Sequence, residues 1–285
     1  MKQFGQKIGF IGAGNMGAAL ISAIIQSKRY RPADVFAFDV DPGRCAAIGQ
    51  KTGIGLLKSS AELYSVCDIV LLAVKPQQMT SVLTDIRRDE RFAKKKRTLL
   101  VSIAAGYPIR KIESILYADL DDRQAGDLPI IRVMPNTPAL VLAGISAMSA
   151  NRFAAADDRH RARSLLEAAG RVLECREDQL DAVTGLSGSG PAYVFYLIEA
   201  MIEAGKNIGL AAEEAEILTI ATLKGAVKLM EVTAESPEEL RRKVTSPGGT
   251  TEAALKVLAS RQFKPAVIEA IAAAAERAAE LSRQC

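Results

Sequence analysis

The stretch that decides the fold is residues 8–17, which read Ile-Gly-Phe-Ile-Gly-Ala-Gly-Asn-Met-Gly. A short apolar run, a glycine-rich turn and a helical run over residues 18–26 follow in the order that a dinucleotide-binding unit requires. The first glycine permits a tight turn, the second lets the backbone approach a pyrophosphate, and the third allows close helix packing. Free amides at the helix start then face the phosphates. The pattern predicts these dinucleotide contacts: Gly12, Gly14, Asn15, Met16 and Gly17.

From this turn onward, short apolar runs alternate with segments of helical period as far as Cys175. Such alternation is typical of β-α units around a parallel sheet. The predicted strands are residues 7–11, 35–39, 54–57, 68–74, 99–103, 130–134, 145–149 and 171–175. We therefore predict an α/β fold whose N-terminal domain, residues 1–175, is a Rossmann-type, doubly wound, mainly parallel sheet.

After Cys175 the pattern changes to long Ala/Glu/Leu-rich segments with a period near 3.6. The predicted helices are residues 191–207, 212–233, 237–244, 250–260 and 265–283. The first of them carries an apolar stripe wider than a lone surface helix needs: Val194, Leu197, Ile198, Met201 and Ile202. We predict an all-α C-terminal domain, residues 176–285, that buries its excess apolar surface against a second subunit as a dimerisation domain.

Composition limits the chemistry. The 285 residues include one histidine, His160, so a metal cage or proton relay that needs two histidines is excluded, and no metal site is expected. The four cysteines form no Cys-x-x-Cys pair, which favours reduced thiols and a cytoplasmic protein. Residues 8–25 carry no charge, but their glycines interrupt any continuous apolar helix, so no membrane segment is expected.

The formal charge of +4 is divided unevenly along the chain. Residues 1–175 carry 25 Lys and Arg against 17 Asp and Glu, so this half is the basic one. A basic half suits an anionic nucleotide cofactor. The densest basic cluster, residues 94–97, has no interleaved aromatic residues, so a solvated loop is expected there and nucleic-acid binding is not.

Asp39 stands at the end of the second predicted strand, 22 positions beyond Gly17. A carboxylate there would accept hydrogen bonds from the ribose hydroxyls of NAD and repel the additional phosphate of NADP. Arg44 follows closely and would pair with that phosphate if Asp39 turned away. The cofactor is thus NADH or NADPH, and Asp39 favours NADH or dual use.

Loops at the ends of three further strands carry candidate site residues. Ligands of open parallel sheets bind beyond the carboxyl ends of the strands, so these loops should converge near the nicotinamide ribose. Asn136 lies between two prolines, which would hold its side chain as a rigid donor and acceptor. The candidate cofactor contacts are Ala73, Val74, Lys75, Pro76, Ala104, Ala105 and Asn136.

A glycine turn in the helical half, residues 245–251, reads Thr-Ser-Pro-Gly-Gly-Thr-Thr. Consecutive amides leading into a helix make an anion-binding nest, and hydroxyls at both edges are additional donors. Such a nest suits a substrate carboxylate at Ser246, Gly248, Gly249 and Thr250. A plain helix cap by Thr250 in a loop without a ligand is the alternative.

Taken together, these motifs resemble the pyrroline-5-carboxylate reductase family, most specifically in residues 246–251 and also in residues 12–17, 73–76, 134–138 and 185–193. The resemblance runs over nearly the whole chain. It implies reduction of the C=N bond of 1-pyrroline-5-carboxylate to L-proline, the last step of proline biosynthesis, by NADH or NADPH.

The resemblance also implies residue roles and an assembly. The family's carboxylate-binding loop falls on Ser246, Gly249 and Thr250, and the hydroxyl that contacts the ring nitrogen falls on Thr251. Its cofactor contacts fall on the glycine turn, Lys75 and Asn136. The helical domain is expected to intertwine into a homodimer, and dimers to associate into a larger ring such as a decamer.

Two alternatives stay open. A β-hydroxyacid dehydrogenase shares the two-domain plan and uses a helical lysine with an asparagine one turn later, whereas here Lys206 is followed directly by Asn207 and position 210 is Leu210. Adjacent residues point about 100° apart on a helix, which counts against this alternative. A non-catalytic NAD(P)-sensing protein is the other, although a sensor has no need of a carboxylate nest.

Overall fold

The computed structural model describes residues 5–92 and 97–284. Three of the four residues in the predicted basic loop, 94–96, lie outside this range. Among the described residues, no helix is long and apolar enough to cross a membrane.

The centre of the fold is an eight-stranded sheet in the order β3-β2-β1-β4-β5-β6-β7-β8, as expected for a doubly wound fold. All eight predicted strands form. Their bounds are β1 Ile8–Ile11, β2 Val35–Phe38, β3 Gly55–Leu56, β4 Ile69–Leu72, β5 Leu99–Ser102, β6 Ile130–Met134, β7 Gly144–Ala150 and β8 Gly170–Glu174. Every neighbouring pair is parallel except β6 and β7. The link between those two is a single short 3₁₀ turn, Thr137–Val141, which is too short for a parallel crossover.

Helices lie between most strands. They are α1 Asn15–Gln26, α2 Pro42–Thr52, α3 Ser60–Val66, α4 Pro76–Arg88, α5 Ile109–Leu116, α6 Asp122–Gly126, α7 Ala156–Leu166 and α8 Leu180–Val183, the last continuing into a π-turn at Thr184–Gly188. Pro42 and Pro76 occupy first helical positions, where the fixed φ of proline suits a helix, and the Asp41 carboxylate caps α2 by accepting from the Gly43 amide. His160 lies exposed on α7.

Apolar side chains of the central strands cover both faces of the sheet. In β4, Ile69 and Leu71 join the core on one face, whereas Val70 and Leu72 join the core on the other. This alternation follows from the two-residue period of a strand, and full burial on both faces explains why the central strands are continuously apolar. The layered core holds the carboxyl ends of β1 to β6 in one row.

The helical half contains α9 Gly190–Asn207, α10 Ala212–Thr233, α11 Pro237–Lys243, α12 Thr250–Ser260 and α13 Phe263–Gln284. The chain forms two compact units: residues 190–273 make up one, and the sheet belongs to the other, which extends to Ser189 and takes in the C-terminal turns of α13 from Ala274 onward. The helical unit exposes many large apolar side chains, among them Phe195, Tyr196, Ile217 and Val232. Such a surface is typical of a subunit interface.

Candidate active site

A pocket of about 1200 Å³ lies at the carboxyl ends of β1, β2, β4, β5 and β6. Its position is the one where open parallel sheets bind ligands. The predicted residues that line it are Gly12, Gly14, Asn15, Met16, Asp39, Ala73, Val74, Lys75, Pro76, Ala104 and Ala105. The fold thus brings together residues from loops that are far apart in sequence.

The glycine-rich turn is shaped by contacts that exclude side chains. Gly12 has a φ of +104°, and a Cβ there would lie 2.5 Å from the Ala73 carbonyl oxygen. Gly17 lies behind the pocket, where a Cβ would be 2.3 Å from the Gly12 carbonyl oxygen, so this position serves close packing. Gly14 precedes α1 without a side-chain cap, which leaves room for a phosphate at the helix start. The turn therefore fits the pyrophosphate of a dinucleotide.

Asp39 is half-buried at the end of β2, and its carboxylate accepts two backbone hydrogen bonds. Oδ2 accepts from the Ala13 amide at 2.7 Å, and Oδ1 accepts from the Asp41 amide at 2.9 Å. The carboxylate therefore faces the glycine-rich turn. Arg44 also lines the pocket and lies 3.3 Å from the Asp41 carboxylate in an exposed ion pair.

Asn136 has its side chain turned into the protein. Its Oδ1 accepts from the Ile145 amide at 2.9 Å, and its Nδ2 donates to the Ser187 carbonyl at 3.3 Å. It is 9% exposed, and the pocket wall at this loop is formed by Met134 and Pro135 instead. The Asn136 side chain both donates and accepts, and its partners are backbone groups of the protein.

Sequence reasoning missed one side of the pocket. These lining residues come from the start of α3 and from one face of α4: Ser59, Ser60, Ala61, Gln77, Gln78, Ser81 and Asp85. Gln77, Ser81 and Asp85 are spaced four residues apart, which places them on one helix face. The four-residue spacing, directly after Pro76 at the start of α4, is the feature of the sequence that could have indicated these residues.

The second predicted group of site residues lies in the helical unit. Ser246 to Gly249 form a turn in which the Gly249 amide donates to the Ser246 carbonyl at 3.0 Å and Gly248 has a φ of +72°. Proline at the second position and glycine at the third are typical of a type II turn. Thr250 and Thr251 begin α12, and Thr251 is half-buried.

Glu252 is a residue that sequence reasoning did not single out. Its carboxylate accepts a hydrogen bond from the Gly248 amide at 2.6 Å and pairs with the Lys256 ammonium at 3.1 Å. The Gly248 hydrogen bond, followed by the Lys256 contact, lowers the pKa of Glu252 below its ordinary value. One amide of the predicted nest therefore already has an anionic partner within the protein.

The fold and the pocket define a Rossmann-type oxidoreductase, a class that takes a nicotinamide dinucleotide. Residues 7–106 match a family model described as NADP oxidoreductase, coenzyme F420-dependent. Residues 177–281 match one described as pyrroline-5-carboxylate reductase dimerisation.

Proteins similar over nearly their full lengths point to one family. Pyrroline-5-carboxylate reductase of Pseudomonas aeruginosa is 41% identical over 98% of this chain and 97% of its own. A Coxiella burnetii pyrroline-5-carboxylate reductase structure has a TM-score of 0.86 and 35% identity, covering 97% of this chain and 98% of its own. A Plasmodium falciparum pyrroline carboxylate reductase with NADP bound has a TM-score of 0.85 and 31% identity, covering 99% of both chains. This chain belongs to the pyrroline-5-carboxylate reductase family.

Proposed function

We propose that this chain reduces the C=N bond of 1-pyrroline-5-carboxylate to give L-proline, with the residues predicted from its sequence acting as the site. It is an NAD(P)H-dependent oxidoreductase of proline biosynthesis. The observation that carries the proposal is the glycine-rich turn opening onto a pocket of about 1200 Å³, in a chain with the family's Ser246–Thr251 loop. That pocket is large enough for a dinucleotide.

The protein's own residues bind and orient the reactants. Bound reduced nicotinamide supplies the hydride for the imine carbon, which must come within roughly 3–3.5 Å of the donor. The Thr250 hydroxyl and amides at the start of α12 accommodate the substrate carboxylate, and the Thr251 hydroxyl accepts the hydrogen bond of the protonated ring nitrogen. A protonated imine is already an electrophile, so the protein need not supply a strong acid. This suits a chain with one histidine.

For the dinucleotide, we propose NADH or dual use. The Asp39 carboxylate is fixed toward the glycine turn by two amide hydrogen bonds. Each carboxylate oxygen retains a lone pair for a ribose hydroxyl, whereas a 2′-phosphate would approach this negative charge. Arg44 lies on the same wall and is the candidate partner of a 2′-phosphate. Because Arg44 is paired with Asp41, part of its charge is already compensated.

The chain's organisation follows from the same reasoning. We propose that residues 1–175 bind the cofactor and that residues 176–285 bind substrate and form a homodimer, with dimers assembling into a decamer in the cytoplasm. The dimerisation family match and the exposed apolar side chains of the helical unit support self-association. Light scattering on the purified protein measures the subunit number, and a monomer would contradict the proposal.

The deciding experiment is a turnover assay with 1-pyrroline-5-carboxylate and either NADH or NADPH. We expect oxidation of the dinucleotide that depends on the imine, with proline as the product. If neither cofactor supports turnover, the proposed enzyme activity is contradicted and a non-catalytic NAD(P)-sensing protein is favoured. A much higher kcat/KM with NADPH than with NADH would contradict the role proposed for Asp39.

A further inference from the structure

The C-terminal turns of α13 pack directly behind a wall of the pocket. The Tyr107 amide donates to the Ala104 carbonyl at 3.3 Å, and Gly106 has a φ of +70° in this turn. A Cβ at Gly106 would lie 3.2 Å from the Leu281 Cβ and 3.5 Å from the Ser282 amide nitrogen. The glycine therefore permits the end of α13 to touch the turn from the side opposite the pocket.

A partly buried polar network links this helix end to Ile109, just after the turn. The Ser282 hydroxyl donates to Asp181 Oδ1 at 2.9 Å, and the same oxygen accepts from Arg132 at 3.4 Å. Arg132 also donates to Glu177 Oε1 at 3.3 Å, and that oxygen accepts from the Ile109 amide at 2.7 Å. Arg132 is 5% exposed and Ser282 is 9% exposed, whereas the side chains of Asp181 and Glu177 are 22% and 34% exposed, so these contacts are partly shielded from water. Such contacts are more sensitive to loss than exposed ones.

The pocket wall at this turn is held by backbone contacts, among them the Ala104 amide donating to the Ser102 hydroxyl at 3.4 Å, and by the buried Tyr107 side chain. Ala104 and Ala105 line the pocket with methyl side chains only, so the backbone decides where the wall lies. At Gly106, that backbone packs against the end of α13. Immediately after the turn, the Ile109 amide at the start of α5 donates to the Glu177 carboxylate. Displacement of the helix end would therefore move the wall.

We propose that Ser282 is a positioning residue for the dinucleotide, acting through Asp181, the end of α13 and the Ala104–Tyr107 turn. The proposal rests on the proposed function only in that a dinucleotide occupies this pocket. Ser282 does not line the pocket, and its effect is indirect. Loss of its hydroxyl leaves the glycine-rich turn intact and loosens the opposite wall.

The test compares Ser282→Ala with Ser282→Thr, which keeps the hydroxyl, and with the control Ser114→Ala. Ser114 is an exposed serine in the same compact unit, and its hydroxyl donates to the Lys111 carbonyl of its own helix. Dinucleotide Kd is measured by direct titration, and steady-state kinetics give KM for each substrate. We expect Ser282→Ala to raise the dinucleotide Kd and KM about fivefold, which corresponds to about 1 kcal/mol, with kcat and imine KM within about twofold.

A dinucleotide Kd near the wild-type value in both Ser282→Thr and Ser114→Ala would support the proposal. An unchanged Kd in Ser282→Ala would overturn it. A lowered kcat and a similar rise in both KM values, together with a lowered Tm, would also overturn the proposal, because these changes indicate general destabilisation. If the wild type binds dinucleotide without reducing the imine, the proposed function fails, while the direct titration still decides the role of Ser282.

Discussion

The Asp39 carboxylate accepts a hydrogen bond from the Ala13 amide at 2.7 Å, which joins the end of β2 to the dinucleotide turn after β1. Gly12 strengthens the same junction, since its amide donates to the Phe38 carbonyl at 2.7 Å. The residue predicted to select the cofactor thus also contacts the turn that is proposed to bind its phosphates. A substitution of Asp39 can therefore remove the negative charge and still keep a hydrogen-bond acceptor at this position.

Asp39→Asn removes the charge and keeps one amide acceptor. We expect the ratio of kcat/KM for NADPH to that for NADH to rise by roughly tenfold, because a 2′-phosphate no longer meets a carboxylate. Steady-state kinetics with both cofactors measure the ratio. The matched control is Asp34→Asn, the same change at the residue that directly precedes the first residue of β2. An unchanged ratio in Asp39→Asn would show that the carboxylate does not select the cofactor.

Thr251→Ala removes the hydroxyl proposed to orient the ring nitrogen. We expect kcat to fall by roughly tenfold or more, because one hydrogen bond made in the transition state corresponds to about 1.4 kcal/mol. Thr233→Ala is the control, since the Thr233 hydroxyl donates within its own helix to the Leu229 carbonyl. A wild-type rate in Thr251→Ala would remove this residue from the mechanism.

Glu252→Gln keeps an oxygen acceptor for the Gly248 amide and removes a negative charge beside the proposed carboxylate nest. We expect the KM for the imine to fall about twofold to threefold at low salt, and the difference to shrink at high salt as charges are screened. Kinetics at two ionic strengths measure this effect. Glu231→Gln on α10 is the control. A higher KM in Glu252→Gln would indicate that the negative charge aids substrate binding.

Lys206→Ala separates the proposed reductase from a β-hydroxyacid dehydrogenase. Lys206 lies exposed in the last turn of α9, with Asn207 directly after it. We expect imine reduction within about twofold of wild type, because the proposed mechanism uses no lysine as acid or base. A loss of several orders of magnitude in kcat would favour the dehydrogenase chemistry instead.

Tyr64→Phe tests a buried phenol in the sheet unit. Burial, partly offset by a hydrogen bond with Thr98, raises the pKa of Tyr64 to about 12. Below pH 10 both the folded and unfolded states keep the proton, so its contribution to stability is fully present. Between pH 10 and about 12 the unfolded state ionises first, and the free energy of unfolding falls with pH.

Tyr64→Phe should therefore lose stability less steeply over this pH range. The difference in slope is at most about 1.4 kcal/mol per pH unit, and denaturant titrations at several pH values measure it. Equal slopes for the two proteins would mean that Tyr64 ionises at the same pH in the folded and unfolded states.

The sequence by itself determined the strands, the order of the β-α units and the glycine turn. These features depend on local information: apolar period, proline at helix starts, and closely spaced glycines between a strand and a helix. All eight predicted strands form, and residues 212–233 and 250–260 are helices with the predicted bounds. The sequence predicts β7 as a strand, but the antiparallel direction of β7 depends on the short link from β6.

Only the tertiary structure decided where side chains point and which distant segments share a wall. The sequence predicts Asn136 as a cofactor contact, and the structure shows that its side-chain amide bonds to backbone groups of Ile145 and Ser187. Ser282 lies 101 positions from Asp181 and still donates to it, behind the pocket-lining turn. Contacts between residues so far apart leave no periodic trace in a single sequence, because they arise from packing whole elements together.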